Sequence, residues 1–126
     1  GAIDRWRIYD KKPSGATVSN VYDSDRASNV IELSGAGVKN GYMLGYWGGS
    51  KAWNNREDTL LKWSMKFSEK FYIYIRLQTK NGDRYIKYSA DSSENNRFSG
   101  NRVYIGLEES AKDGNWHDFS RDIRAD

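Results

Sequence analysis

Short segments in which apolar and polar residues alternate constrain the fold of this chain more than any other feature. The two clearest segments run from Thr59 to Phe67 and from Phe71 to Thr79. Successive side chains of a β-strand point to opposite faces of its sheet, so a period of two predicts half-buried strands. No stretch keeps a helical period for ten residues. The pattern therefore predicts an all-β chain.

Turn residues divide the chain into about nine short strands, which is typical of an antiparallel β-sandwich. The length of 126 residues corresponds to one domain spanning residues 1–126. The predicted strands are Trp6 to Tyr9, Val18 to Tyr22, Val30 to Leu33, Gly41 to Trp47, Thr59 to Phe67, Phe71 to Thr79, Arg84 to Ser89, Val103 to Leu107 and Trp116 to Ile123. The polar stretch from Asp91 to Asn96 reads as a mobile loop.

The dipeptide Asn81-Gly82 predicts a hairpin between two of these strands, because Asn-Gly suits a type I′ turn. A two-residue loop at that point pairs Lys80 with Asp83 and Arg76 with Lys87. Alternation then sorts the side chains into two faces. The predicted core face carries Phe71, Ile73, Ile75, Leu77, Ile86 and Tyr88.

The opposite, outward face is chemically unusual for a solvated sheet. It carries Tyr72, Tyr74, Arg76, Gln78, Tyr85 and Lys87, and the same alternation adds Tyr104. Sugars have apolar faces that stack on aromatic rings and hydroxyl rims that bond guanidinium, amide and phenol groups. The face therefore predicts a polysaccharide-binding surface. The alternative is that cross-strand tyrosine and lysine or arginine pairs only stabilise the sheet.

A second candidate is the glycine-rich segment from Gly45 to Arg56, which carries Trp47 and Trp53. No periodicity would bury both tryptophans, and an exposed tryptophan in a loop is typical of a binding site. We therefore predict that Trp47 and Trp53 contribute to ligand binding. The alternative is that one of them, Trp53 in the first place, covers the rim of the core.

Composition excludes several kinds of site. The chain has no cysteine and one histidine, His117, which excludes disulfides, thiolate metal sites and zinc sites with two histidines. Asp23, Asp25 and Glu32 could supply oxygens to a structural calcium ion, but their spacing lacks the full EF-hand pattern. No apolar run approaches 18 residues, which argues against a membrane span. The net charge of +3 is spread along the chain, which argues against a nucleic-acid ligand.

Several short segments, taken together and in order, resemble a β-jelly-roll module of large secreted or surface proteins of bacteria. They are Trp6 to Asp10, Pro13 to Ala16, Asn20 to Asp23, Val30 to Gly35, Asn40 to Tyr42, Leu61 to Glu69, Arg84-Tyr85 and Asp113 to Asp122. The module is similar in kind to non-catalytic carbohydrate-binding modules. The resemblance implies a jelly roll, a secreted or cell-surface location, and a glycan lying across the concave sheet or at the loops.

Modules of this type close with a further strand after the segment from Arg121 to Asp126. The resemblance therefore implies a missing final strand, and either a monomer with an exposed sheet edge or a strand-exchanged dimer.

These observations predict a module that binds a polysaccharide or oligosaccharide without altering it, attached to a polysaccharide-degrading enzyme or surface protein. Three alternatives remain open at this point. The chain could be an adhesion or spacer module of a bacterial surface protein. It could be a small polysaccharide lyase with Tyr74 as the base. It could also bind single-stranded nucleic acid through the same aromatic and basic groups.

Overall fold

The computed structural model describes residues 2–37, 39–45, 53–94 and 96–126. Within these ranges the chain forms ten strands and two short 3-10 helices, which confirms the predicted all-β class. The strands are β1 Trp6–Asp10, β2 Thr17–Asp23, β3 Ser28–Ser34, β4 Gly41–Leu44, β5 Leu60–Lys66, β6 Tyr72–Thr79, β7 Gly82–Ser89, β8 Arg97–Ser99, β9 Arg102–Gly106 and β10 Trp116–Asp122. The 3-10 helices are Ser92–Glu94 and Glu109–Lys112.

The chain divides into two compact units, Gly1–Arg56 and Glu57–Asp126. In the first unit β1 pairs with β4 and β2 pairs with β3, both antiparallel. The second unit contains the other six strands, the two 3-10 helices and the hydrophobic core. The prediction that residues 1–126 form a single domain stays a prediction.

The second unit has two layers. One is the antiparallel pair β5 and β10, and the other is a four-stranded sheet in the order β6-β7-β9-β8. Tyr88, Ile86 and Ile105 of the larger sheet are buried, and Trp63 of β5 packs on Tyr88 with ring centroids 5.4 Å apart. Trp63 also stacks on Phe119 of β10 at 4.9 Å. This is the sandwich arrangement that alternation predicts, whereas the jelly-roll course of the strands stays a prediction.

One pairing departs from the antiparallel prediction. Strands β7 and β9 are parallel, whereas the other five described pairings are antiparallel. A parallel pair needs a connection of about a dozen residues that returns the chain to the same end of the sheet. The connection between β7 and β9 contains the helix Ser92–Glu94 and strand β8. Strand β8 was not predicted, because three residues are too few to show a period.

The hairpin of β6 and β7 has a different register from the predicted one. Thr79 pairs with Gly82, so the loop is Lys80-Asn81, and Arg76 lies opposite Tyr85. Gly82 has a φ of 93°, which places the left-handed residue directly after the turn instead of within it. The Thr79 hydroxyl holds this loop by accepting from the Asn81 N–H at 3.2 Å and donating to the Gly82 carbonyl at 2.7 Å.

This register places each residue of β6 opposite a β7 residue two positions away from the predicted partner. A slip of two residues keeps every side chain on its face, because the strand period is two. The predicted division into a core face and an outward face is therefore correct although the predicted partners are wrong.

The last residues of the chain are integrated into the second unit. The Ile123 N–H donates to the Thr59 carbonyl at 2.9 Å, and the Tyr88 hydroxyl donates to Asp126 Oδ2 at 2.6 Å. In the described part of the chain, β6 and β8 are the edge strands of the four-stranded sheet. A strand-exchanged dimer stays a prediction.

Candidate functional site

The outer face of the four-stranded sheet, the face opposite the core, brings together all seven sheet residues that alternation predicts as ligand contacts. Strand register sets them in rows that cross the sheet. One row reads Tyr74, Lys87, Tyr104, Arg97, and the next reads Arg76, Tyr85, Arg102, Ser99. Gln78 lies opposite Asp83 one step further along β6. Aromatic and cationic side chains thus alternate across the strands.

This alternation places cations against the tyrosine rings. Arg97 lies 3.9 Å from the centroid of the Tyr104 ring, and Arg102 lies 5.7 Å from that of Tyr74 and 6.0 Å from that of Tyr85. Cations within about 6 Å of an aromatic centroid are attracted to the face of the ring. The side chains of the outer face therefore hold one another in place.

Two rings of the outer face remain open to solvent. Tyr72 is 44% exposed and Tyr74 is 48% exposed, and both belong to the edge strand β6. Tyr85 and Tyr104, on the inner strands of the sheet, are half-buried. The accessible aromatic surface is therefore concentrated along β6.

Lys87 is at the centre of this face but is only 8% exposed. Its Nζ lies 3.8 Å from the centroid of Tyr72 and 4.9 Å from that of Tyr104. It also lies 3.5 Å from Glu94 Oε2, and Ser89 Oγ donates to the same carboxylate at 3.1 Å. Lys87 therefore contacts other side chains of the sheet and is nearly buried, whereas the sequence predicts an exposed residue that contacts the ligand.

The segment around the helix Ser92–Glu94 brings Glu94 to Lys87 by crossing the outer face. It passes over Gly106, where an added Cβ would lie 2.5 Å from the Asp91 carbonyl oxygen and 2.8 Å from Ser92 Cα. Only a residue without a side chain allows this approach. The same crossing buries Ser89 completely, so this end of the outer face is closed by the chain itself.

Lys70 adds a cation at the closed end of the face. Its Nζ lies 5.5 Å from the centroid of Tyr72. A hydrogen bond with the Tyr72 side chain raises the pKa of the Lys70 ammonium group. The ammonium group therefore stays charged beside the exposed tyrosine.

Arg76, one of the predicted ligand contacts, pairs with an acid of its own sheet. Its Nη2 lies 2.6 Å from Asp83 Oδ2, and its Nε donates to the same oxygen at 3.2 Å. Gln78 remains exposed beside this pair. Of the two arginines in this row, Arg76 is therefore the one already matched by a carboxylate.

Sequence reasoning missed five charged residues of the face: Lys70, Asp83, Glu94, Arg97 and Arg102. The signal for Arg102 was present, because it precedes Tyr104 by two residues and so shares its face. The predicted strand began at Val103, one residue too late. Arg97 lies on the short strand β8, and Glu94 lies in the stretch that reads as a mobile loop.

The tryptophan loop is only partly described. Trp47 lies outside the described residues. Trp53 is 57% exposed and lines a small depression of about 100 Å³ with Arg5, Leu44 and Gly45, all within the first unit. Trp53 therefore has the exposure that a stacking platform needs.

The predicted calcium ligands are not gathered at one point. Glu32 lies opposite Ser19 in the β2–β3 pair, whereas Asp23 lies opposite Ser28, four residues before Glu32 in β3. Asp23 Oδ1 accepts the N–H of Arg26 at 2.9 Å and so supports the turn. Across residues 2–37, 39–45, 53–94 and 96–126, no group of three His, Cys, Asp or Glu side chains could hold a metal ion.

Comparisons with known proteins do not place the chain in a family. No protein-family model matches it, and no curated protein matches it significantly. The resemblance to carbohydrate-binding modules therefore stays a prediction. None of the helices in the described ranges is long and apolar enough to cross a membrane.

Proposed function

We propose that this protein binds a polysaccharide without altering it, through the outer face of its four-stranded sheet. The observation that carries the proposal is the pair of half-exposed rings, Tyr72 and Tyr74, beside the exposed guanidinium of Arg102. Aromatic rings supply stacking surfaces of about 1 kcal/mol each for apolar sugar faces. Guanidinium and amide groups next to the rings supply directional bonds to the sugar rim.

The binding residues in this proposal are a subset of those predicted from the sequence. Tyr72, Tyr74 and Gln78 would contact the glycan directly, and Arg102 joins them. Lys87 would act indirectly, because its buried ammonium group fixes the rings of Tyr72 and Tyr104. The predicted ligand contacts Trp47 and Trp53 stay predictions, because this proposal concerns the outer face of the second unit alone. The proposed location, outside the cell or on its surface, is where such polymers occur.

Affinity electrophoresis tests the proposal. The protein is run through native gels cast with neutral or acidic polysaccharides, and its mobility is compared with that in a polymer-free gel. We expect retardation by at least one class of polymer. We expect Tyr74→Ala to reduce the retardation at least severalfold, because it removes an exposed ring from the centre of the site.

Tyr22→Ala is the matched control. Tyr22 is 67% exposed but belongs to β2 of the first unit, not to the outer face. We therefore expect Tyr22→Ala to be retarded by the polymer as much as wild-type protein. Absence of retardation by every polymer would contradict the proposal.

The alternative of an adhesion or spacer module is favoured by one observation. The rings and cations of the outer face largely satisfy one another, as in the placement of Lys87 between Tyr72 and Tyr104. Cross-strand pairs of this kind stabilise a sheet whether or not it binds a ligand. In that case Tyr74→Ala would lower stability, and no polymer would retard the protein.

A further inference from the structure

The charges of the outer face are not balanced. The strands of this face carry four basic side chains, Arg76, Lys87, Arg97 and Arg102, and the face has two acidic ones, Asp83 of β7 and Glu94 of the helix Ser92–Glu94. Asp83 pairs with Arg76 at 2.6 Å, and Glu94 pairs with Lys87 at 3.5 Å and with Arg97 at 3.4 Å. Both acids are therefore already used by other cations.

Arg102 is the cation that these pairings leave out. Within the described residues, no carboxylate lies within ion-pair distance of its guanidinium. Its side chain is exposed on β9, and its neighbours across the sheet are Tyr85 on one side and Ser99 on the other. The positive charge of Arg102 is thus presented to solvent in the middle of the proposed binding face.

The surroundings of Arg102 suit one kind of ligand. Its guanidinium lies 5.7 Å from the Tyr74 ring and 6.0 Å from the Tyr85 ring. A guanidinium is a planar fork of N–H donors that bonds both oxygens of a carboxylate, and such charge-assisted bonds are stronger than neutral ones. A sugar that carries a carboxylate could pair with this fork while its ring packs on an adjacent tyrosine.

We propose that Arg102 binds the carboxylate of an acidic sugar, so that the ligand is a uronate-containing polysaccharide rather than a neutral one. This inference rests on the proposed function of the outer face. It assigns the anion-binding role to Arg102 instead of Arg76 and Lys87, which both pair with carboxylates of the protein itself. Because the pairing is an exposed charge interaction, added salt weakens it.

The test compares acidic polymers with their neutral counterparts. Polygalacturonate and alginate are measured by isothermal titration calorimetry beside the same polymers after chemical reduction of their carboxyl groups. We expect wild-type protein to bind at least one acidic polymer about tenfold more tightly than its reduced form, the size of one charge-assisted bond. Arg102→Gln should bring this ratio close to one and leave affinity for the reduced polymer unchanged.

Arg84→Gln is the control for net charge. Arg84 is an exposed arginine of β7, but it lies opposite Leu77 and so belongs to the other face of the sheet. The Arg84→Gln variant should therefore keep the tenfold preference for the acidic polymer over its reduced form. A ratio that survives Arg102→Gln, or that falls equally in Arg84→Gln, would overturn the assignment to Arg102.

Two further outcomes separate this inference from the proposed function. If wild-type protein bound acidic and reduced polymers equally, the inference that Arg102 binds a carboxylate would be refuted. The proposal that the outer face binds a polysaccharide would stand. If the protein preferred only carrageenan over its desulfated form, the recognised group would be a sulfate. That result would also refute the inference of a carboxylate ligand. Failure to bind any polymer, neutral ones included, would refute both.

Discussion

The inner face of the four-stranded sheet buries Ile86 and Tyr88 almost completely, whereas the outer face of the same strands leaves Tyr72 and Tyr74 half exposed. The inner face is stabilised mainly by packing against β5 and β10, with Trp63 on Tyr88 at its centre. The outer face is stabilised by charges and rings that meet across strands. The same alternation thus produces one face that depends on close packing and one that depends on contacts between charges and aromatic rings.

The largest expected effect comes from the inner face. Ile86→Ala should lower the free energy of unfolding by about 2–5 kcal/mol, because it removes buried methyl groups and leaves a cavity. Urea denaturation followed by tryptophan fluorescence measures this change. Ile3→Ala is the matched control, since Ile3 is exposed and the same truncation there should cost less than about 0.5 kcal/mol. Equal losses in the two variants would remove the distinction between a packed face and an exposed surface.

An intermediate effect comes from the polar cluster behind Tyr88. Asp126 accepts hydrogen bonds from the Tyr88 hydroxyl at 2.6 Å and from Arg121 Nε at 2.8 Å. Asp126→Asn should lower the free energy of unfolding by about 1–3 kcal/mol near neutral pH, because it weakens bonds made to a charged group. Asp122→Asn is the control, because Asp122 is exposed and its side chain accepts a hydrogen bond from the nearby Arg124 N–H.

The same cluster predicts a pH dependence. Burial acts to raise the pKa of Asp126, but the hydrogen bonds from Arg121 and Tyr88 outweigh it and hold that pKa below the ordinary carboxyl value. A carboxyl whose pKa is lowered on folding stabilises the protein above its unfolded pKa, and this contribution is lost as the pH falls. The stability difference between wild type and Asp126→Asn should therefore shrink below about pH 4. A difference that stays constant from pH 7 to pH 2 would contradict the role of the charge.

The smallest expected effect on stability comes from the outer face. Tyr74→Ala should change the free energy of unfolding by less than about 1 kcal/mol, the range of a single cross-strand pair. Thermal unfolding of this variant beside Ile86→Ala compares the two faces directly. A loss above about 2 kcal/mol would show that Tyr74 belongs to the structural framework, and the distinction between the faces would fail there.

Much of this arrangement could be predicted from the sequence because it depends on period alone. The alternation of β6 and β7 separates Ile73 and Ile75 from Tyr72 and Tyr74 whatever the register, so the faces were predicted correctly although the partners were not. The geometry of the turn was harder to predict, because Asn-Gly is compatible both with a type I′ loop and with a left-handed glycine just after the turn. The Thr79 hydroxyl, which bonds on both sides of the loop, accompanies the second geometry.

Charge pairing could not be predicted in the same way. Which of Arg76, Lys87, Arg97 and Arg102 remains without a carboxylate depends on where Asp83 and Glu94 lie. Glu94 reaches Lys87 because the chain at Asp91 and Ser92 crosses the outer face over Gly106. No local pattern indicates that crossing.

The sequence by itself determined the all-β class, the strands of the central hairpin and the side chains that share each face. These properties follow from a local period of two and from the need to bury apolar groups. Only the tertiary structure decided that Lys87 is buried, that Arg76 pairs with a carboxylate, and that Arg102 is exposed without an acidic partner. Ion pairing and burial depend on distances between residues that are far apart in the chain, and the folded backbone alone sets those distances.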